Sequence, residues 1–223
     1  MNAGDRGPRA EPYRASSTSG GVPLWDPRND PRLHAIAQRH RLMIVHKQPT
    51  GCPHVLLSHD RLALASGDAA ELPFTIEWAL PSNRRTERRP ALLRAIGHHL
   101  GIRDVVDATA GLARDAARMA SAGCKVRMIE RHPVLAALLE NALEQADAPS
   151  GLTLLLGDAA TILAALPPDQ RPEAIHVDPM LPARPDGAAA VKKEIRVLKD
   201  LLGADEDAAA LLERACSVAT RRV

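Results

Sequence analysis

From Gly101 onward, short apolar runs alternate with segments of helical spacing. DVVDATA, KVRMIE, LTLLLGD and AIHVDP are runs of the kind buried on both faces of a parallel sheet. Between them, LARDAARMASAG, HPVLAALLENALEQA and AATILAAL repeat apolar residues at three- and four-residue intervals, which predicts helices. Gly123 falls where a helix should stop and Pro133 where one should start. Strand and helix alternating in units of about 25 residues means βαβ crossovers, and so an α/β domain with a doubly wound parallel sheet.

The rest of the chain reads differently. Residues 1–30 are rich in Gly, Pro, Ser and Arg without apolar periodicity and are expected to form a disordered tail. Over 31–80, LHAIAQRHRL predicts a short helix. MIVHK, HVLLSH, RLALASG and PFTIEWAL predict strands separated by turn residues, so a small α+β module is expected. The α/β domain then occupies 81–223, opening with the helix PALLRAIGHHLG. Near its end, VKKEIRVLKDLLG and DEDAAALLERACSVA have helical spacing, and ATRRV resembles the entry to a further strand. Four strands make a thin sheet, so the chain is expected to be truncated at its C-terminus.

Composition narrows the picture. With 223 residues, 45% apolar and 25% charged, the chain has room for one ordinary domain and a small module. Cys52, Cys124 and Cys216 lie far apart with no CxxC pair, which suggests neither a disulfide framework nor a metal site. The apolar runs are too short to span a bilayer, and no signal peptide is evident, so a soluble cytoplasmic protein without membrane partners is expected. A net charge of +2 names no partner. Its distribution is more telling: Arg84, Arg85, Arg88, Arg89, Arg94 and Arg103 face a single Glu87, a candidate phosphate-facing surface. Aromatic residues are few, Tyr13, Trp25, Phe74 and Trp78, and none follows Trp78.

Ligands of open α/β sheets bind beyond the C-terminal strand ends. Here every strand ends in an acid: Asp107 in DATAGLARD, Glu130-Arg131, Gly157-Asp158, and Asp178-Pro179. One βα unit separates each from the next, which gathers the carboxylates around one crevice. Gly111 allows close backbone approach in the first turn. Glu130 can accept from both ribose hydroxyls of a nucleoside, Asp158 from an adenine amino group, and Asp107 or Asp115 can hold an ammonium. Asp158 can equally cap the following helix. A phosphate-bearing dinucleotide needs a glycine-rich, anion-friendly loop, whereas this loop has one glycine and two aspartates. S-adenosylmethionine, with its sulfonium and ammonium, is therefore favoured over NAD. Asp178 and the carbonyl of Pro179 can hold the hydrogens of an exocyclic amine while its lone pair faces a methyl donor. The plain alternative is a proline turn after a strand.

The stretch DVVDATAGLARDAARMASAGCKVRMIERHPVLAALLENAL, with HVDPMLP and VKKEIRVLKDLLG, resembles the small-subunit ribosomal RNA methyltransferase J family. The resemblance implies a Rossmann-like class I S-adenosylmethionine-dependent fold that methylates a guanine N2 of 16S rRNA, in naked RNA or a ribosomal particle. It implies cofactor contacts at Arg114, Asp115, Glu130, Arg131, Asp158, Ala159 and Asp178. It also places Lys192, Lys193 and Arg196, with Arg84 and Arg85, towards RNA; the plain alternative for the lysines is a solvated helix face. Three departures stand out. Leu181 and Ala183 replace a phenylalanine and a histidine, the NRR segment lacks the glycines that follow it in the family, and the family continues past Arg221-Arg222-Val223. They motivate a second reading, a non-catalytic RNA-binding or ribosome-assembly protein that keeps the fold.

Overall fold

The structure is a computed structural model in which residues 22–68, 70–78, 91–179, 197–198, 201–202 and 207–223 are described. The parallel sheet has strands β6 (Asp104–Asp107), β7 (Lys125–Glu130), β8 (Leu152–Leu156) and β9 (Ala174–His176), in the order β8-β7-β6-β9. All pairings are parallel. Strand order reverses between β6 and β9, the switch point at which a doubly wound sheet opens a crevice.

Period-two alternation explains why the strands read as continuous apolar runs. Val105, Val126, Met128 and Ala174 enter one core, while Val106, Ile129 and Ile175 enter another on the opposite face. Helices α3 (Arg114–Ser121) and α4 (Pro133–Leu143) supply the first core. Helices α5 (Ala159–Ala165) and α6 (Ala208–Val218) cover the second with Leu163, Leu211, Ala215 and Val218. The stretch predicted as one helix from Pro90 divides into α2 (Ala91–Ala95) and a 3-10 turn (His98–Leu100). The break falls at Gly97, whose φ of +78 a helix cannot accommodate.

The N-terminal segment forms a second sheet, β2-β1-β3-β4-β5, from β1 (Pro23–Trp25), β2 (Met43–Val45), β3 (His54–Ser58), β4 (Arg61–Ala65) and β5 (Phe74–Thr75). Helix α1 (Pro31–His40) starts at Asp30, whose side chain accepts the Arg32 N–H, with Pro31 in its first turn. Two findings differ from the sequence reading. Residues 22–30, assigned to the tail, contain β1, which lies between β2 and β3 with Leu24 fully buried. The divide at residue 80 also does not separate two cores. Val22, Leu24, Val55, Leu62 and Trp78 share one buried cluster with Val105, Val126 and Leu139.

Helix α4 makes that continuity possible. It is apolar nearly all round, with seven buried residues from Val134 to Ala142, as a helix packed between two sheets must be. Its last turns also hold the N-terminal sheet by polar contacts. Asn141 Oδ1 accepts the Leu62 N–H at 2.8 Å, and the Ala142 carbonyl accepts the Trp78 indole N–H at 3.0 Å. Glu140 pairs with Arg39 and with the buried His40 of α1.

The ending ATRRV behaves as its pattern predicts. Arg222 forms a parallel bridge to Ala174 at the open side of β9, and the Ile175 N–H donates to the Arg222 carbonyl at 3.0 Å.

Candidate active site

Register brings the acidic strand ends together. Asp107 closes β6 directly opposite His176 of β9, so the two side chains leave the sheet on the same face, towards α3. On α3, Asp115 pairs with His176 (Nε2–Oδ2 3.4 Å) and, through its other oxygen, with Arg118 at 3.1 Å. Asp178 completes the group, and ligand-type atoms of Asp115, His176 and Asp178 lie within 4.8 Å of one another. These are donor types that divalent cations use. Here the imidazole Nε2 faces the Asp115 carboxylate.

Burial governs the electrostatics. Asp107 is fully enclosed and its carboxyl is pushed up to about 6 by desolvation, against the pull of His176 and the Thr109 N–H. Burial also works against a charged His176 ring, but Asp115, Asp107 and Asp178 outweigh it and raise its pKa. The Asp115 carboxyl is correspondingly lowered, chiefly by His176.

Glu130, at the end of β7, ties the two neighbouring loops together. Its Oε2 accepts the Gly111 N–H at 3.1 Å and its Oε1 the His132 N–H at 2.7 Å. Desolvation still prevails and pushes the carboxyl up to about 7. Gly111 has a φ of +52, and a Cβ there would meet only the Thr109 carbonyl, at 3.8 Å. The residue is needed for its backbone conformation rather than for want of space.

The remaining predicted residues divide. Asp158 caps α5: its Oδ1 accepts from the Thr161 N–H (2.8 Å) and hydroxyl (2.7 Å), so of the two roles left open the cap is realised. Ala159, beside it, is buried. Arg131 pairs with Asp207, just before α6, at 2.5 Å. Arg114 is exposed in the first turn of α3. Asp178 is exposed and Pro179 half-buried, and the Asp178 N–H donates to the Thr109 hydroxyl at 2.8 Å. Arg84, Arg85, Lys192, Lys193, Arg196, Leu181 and Ala183 lie outside the described residues. Sequence reasoning missed His176 and Thr109. Both sit inside the predicted strand-end segments, and their partners become visible only once β6 and β9 are paired.

The donor set fits S-adenosylmethionine. Buried and half-buried carboxylates surround the switch point, Glu130 keeps an unmet demand for hydrogen-bond donors, and no phosphate-binding glycine loop is present in the described β6–α3 turn. Fold and site thus define a class I methyltransferase.

The comparisons agree. The family described as SAM-dependent methyltransferase matches residues 35–223, and the chain belongs to it. Among curated relatives, ribosomal RNA small subunit methyltransferase J of Pectobacterium atrosepticum is 39% identical over 206 residues, 86% of this chain and 81% of that protein. The protein of the same name from Thioalkalivibrio sulfidiphilus is 40% identical over 210 residues, 86% of this chain and 80% of that protein. The one from Edwardsiella ictaluri is 50% identical over 145 residues, 61% of this chain and 57% of the relative's length. A solved SAM-dependent methyltransferase from Neisseria gonorrhoeae superposes with a TM-score of 0.62 at 25% identity, covering 88% of this chain and 80% of that one. Among the described residues no helix is long and apolar enough to cross a membrane.

Proposed function

We propose that the protein methylates small-subunit ribosomal RNA, at the exocyclic N2 of a guanine, with S-adenosylmethionine as donor. The observation that carries this reading is the placement of Asp178-Pro179 at the switch point. Asp178 follows β9, is anchored by its backbone to Thr109 of the first loop, and lies beside the Asp107–Asp115–His176 cluster. A carboxylate and a proline-fixed carbonyl at the mouth of a cationic-cofactor crevice suit an amine that must be held by its hydrogens.

In this reading Asp107 and Asp115 take the cofactor's ammonium, and Glu130 takes the ribose hydroxyls. Asp158, already a helix cap, has only its second oxygen for an adenine amino group. Bound there, the cofactor supplies an electrophilic methyl group on a sulfonium. The chain's own task is positioning: Asp178 accepts one amine hydrogen and the Pro179 carbonyl the other. Phosphate contacts fall to Arg84, Arg85, Lys192, Lys193 and Arg196, a term that weakens with salt.

The test is transfer of labelled methyl from S-adenosylmethionine to small ribosomal subunits, and to naked 16S rRNA, by wild type and Asp178→Ala. The variant should lose transfer while still binding S-adenosylmethionine. Retained transfer overturns the role of Asp178. Cofactor binding by a wild-type protein that never transfers would favour the non-catalytic RNA-binding reading.

A further inference from the structure

Among the described residues at the strand ends, His176 is a basic group flanked by carboxylates, and the methyl-transfer reading gives it no task. Its surroundings are specific. Asp107 of β6 lies opposite it in register, Asp115 of α3 faces its Nε2 at 3.4 Å, and Asp178 follows two residues after the strand ends. Arg118 of α3 directs its guanidinium to the other oxygen of Asp115, at 3.1 Å. The ring is 18% exposed, so it is neither solvated like a surface histidine nor sealed in the core.

A cation that meets three carboxylates in a half-buried space is doing what a bound ammonium would do. We propose that the protonated ring of His176 acts as the internal counter-cation of the crevice, standing in for the ammonium of an S-adenosyl ligand, so that ligand binding expels the ring's proton to solvent. His176 is thus a positioning residue. It pairs with Asp115, whose carboxyl it lowers, while the crevice is empty, and it yields that carboxylate when a ligand cation arrives. The inference rests on the cofactor assignment above and adds what that assignment does not contain: a coupling between binding and a proton.

The chemistry sets the sign. Two cations cannot share the same carboxylates without cost, so a charged ring weakens binding of an ammonium-bearing ligand and a neutral ring does not. Affinity should therefore rise with pH until the ring has lost its proton, by at most about tenfold per pH unit for one proton released. Asp107 and Glu130 ionise in an overlapping range and push affinity the same way, so the slope of the wild type alone does not identify the ring. The contribution of His176 is the part that disappears when only the ring is replaced.

The experiment is calorimetry on the full chain with two probes, S-adenosylhomocysteine, which carries the ammonium, and 5′-methylthioadenosine, which lacks it. Wild type and His176→Gln are compared from about pH 6 to about pH 8.5, a range that begins below the ordinary histidine value and extends above it, the direction in which the carboxylates move the ring. The proposal predicts that the variant binds S-adenosylhomocysteine more tightly than wild type at the acid end, by about tenfold, and equally at the alkaline end. The two proteins should bind methylthioadenosine alike throughout. A merely structural histidine would instead weaken binding of both probes at every pH. Wild type should also release more protons on binding S-adenosylhomocysteine than on binding methylthioadenosine, read from heats in buffers of different ionisation enthalpy, a comparison in which the contribution of Glu130 at the shared ribose cancels and which does not depend on the variant folding. Binding without that extra proton release, or a variant with the wild-type pH profile, overturns the proposal and leaves the cofactor assignment standing. Failure of folded wild type to bind either probe at any pH overturns both.

Discussion

Glu130 offers a quantitative test of the crevice. It is 8% exposed, and two backbone N–H groups, from Gly111 and His132, do not offset its desolvation, so its carboxyl is pushed from 4.5 up to about 7. At roughly 1.4 kcal/mol for each pH unit between those values, ionising Glu130 in the folded protein costs about 3 kcal/mol more than in the unfolded chain. Because the folded pKa lies above the unfolded one, this contribution to stability is complete below pH 4.5 and is lost as pH rises through about 7. Glu130→Gln keeps the shape and cannot ionise. It turns one acceptor into an NH2 that confronts a backbone N–H, a cost of about 1–3 kcal/mol that does not depend on pH. The assay is urea unfolding of both proteins between about pH 5 and about pH 8. The advantage of wild type over the variant should shrink by about 3 kcal/mol across that range. Asp107 titrates in the same window in both proteins and cancels in the difference. A difference that stays flat would refute the reasoning, since Glu130 would then be fully compensated without a ligand and would have no call on ribose hydroxyls.

Other consequences follow from packing and capping. Leu139→Ala removes a fully buried side chain between the two sheets and should cost about 2–5 kcal/mol of unfolding free energy, with both sheets lost in a single denaturation transition. Asp158→Ala should cost about 1 kcal/mol by removing the α5 cap, while Asp158→Asn should keep most of that stability; cofactor affinity measured on the Asn variant then reports any separate ligand role. Gly97→Ala should destabilise, because φ is +78 and the new Cβ would lie 2.8 Å from Ile102 Cδ1, a change visible as a lowered Tm. Thr109→Val leaves the Asp178 N–H without its acceptor and should reduce methyl transfer more than cofactor binding, read as a fall in kcat with little change in cofactor Kd.

The alternation of strands and helices was legible because the apolar runs of β6, β7 and β9 are buried on both faces, although the edge strand β8 is only partly covered, and because Gly123 and Pro133 mark a helix stop and a helix start. The acidic strand ends were legible for the same reason: the fold puts them at one edge whatever their neighbours are. What sequence could not supply was pairing. Asp107 meets His176 only through the β6–β9 register, and those residues are 69 apart in the chain, as are Thr109 and Asp178. Strand β1 was hidden for another reason. Three residues, Pro23–Trp25, are too few to show a period, and they sit next to a stretch rich in Gly, Ser and Arg. The union of the two sheets was hidden in α4, whose all-round apolarity is a sign of enclosure that does not say by what.

The crevice's preference for a cation follows from how its carboxylates are compensated. Glu130 is met by the backbone N–H groups of Gly111 and His132, which satisfy lone pairs but bring no net positive charge, while Asp107 is drawn down first by His176 and then by the Thr109 N–H. The N-terminus of α3 contributes a partial positive charge beside Asp115, again less than a full unit. His176 and Arg118 each bring a whole charge to Asp115, and of the two the histidine can surrender its own. A phosphate placed here would add negative charge beside Asp107 and Glu130 and push their already raised pKa values further up, whereas an ammonium or sulfonium would bring them down. The same residues that raise the cost of the empty site therefore define what relieves it, and they do so by the sign of the ligand's charge rather than by shape. This is why the scarcity of aromatic rings after Trp78 bears less on cofactor recognition than on how a base is held: the selection at the strand ends is electrostatic and needs no stacking surface.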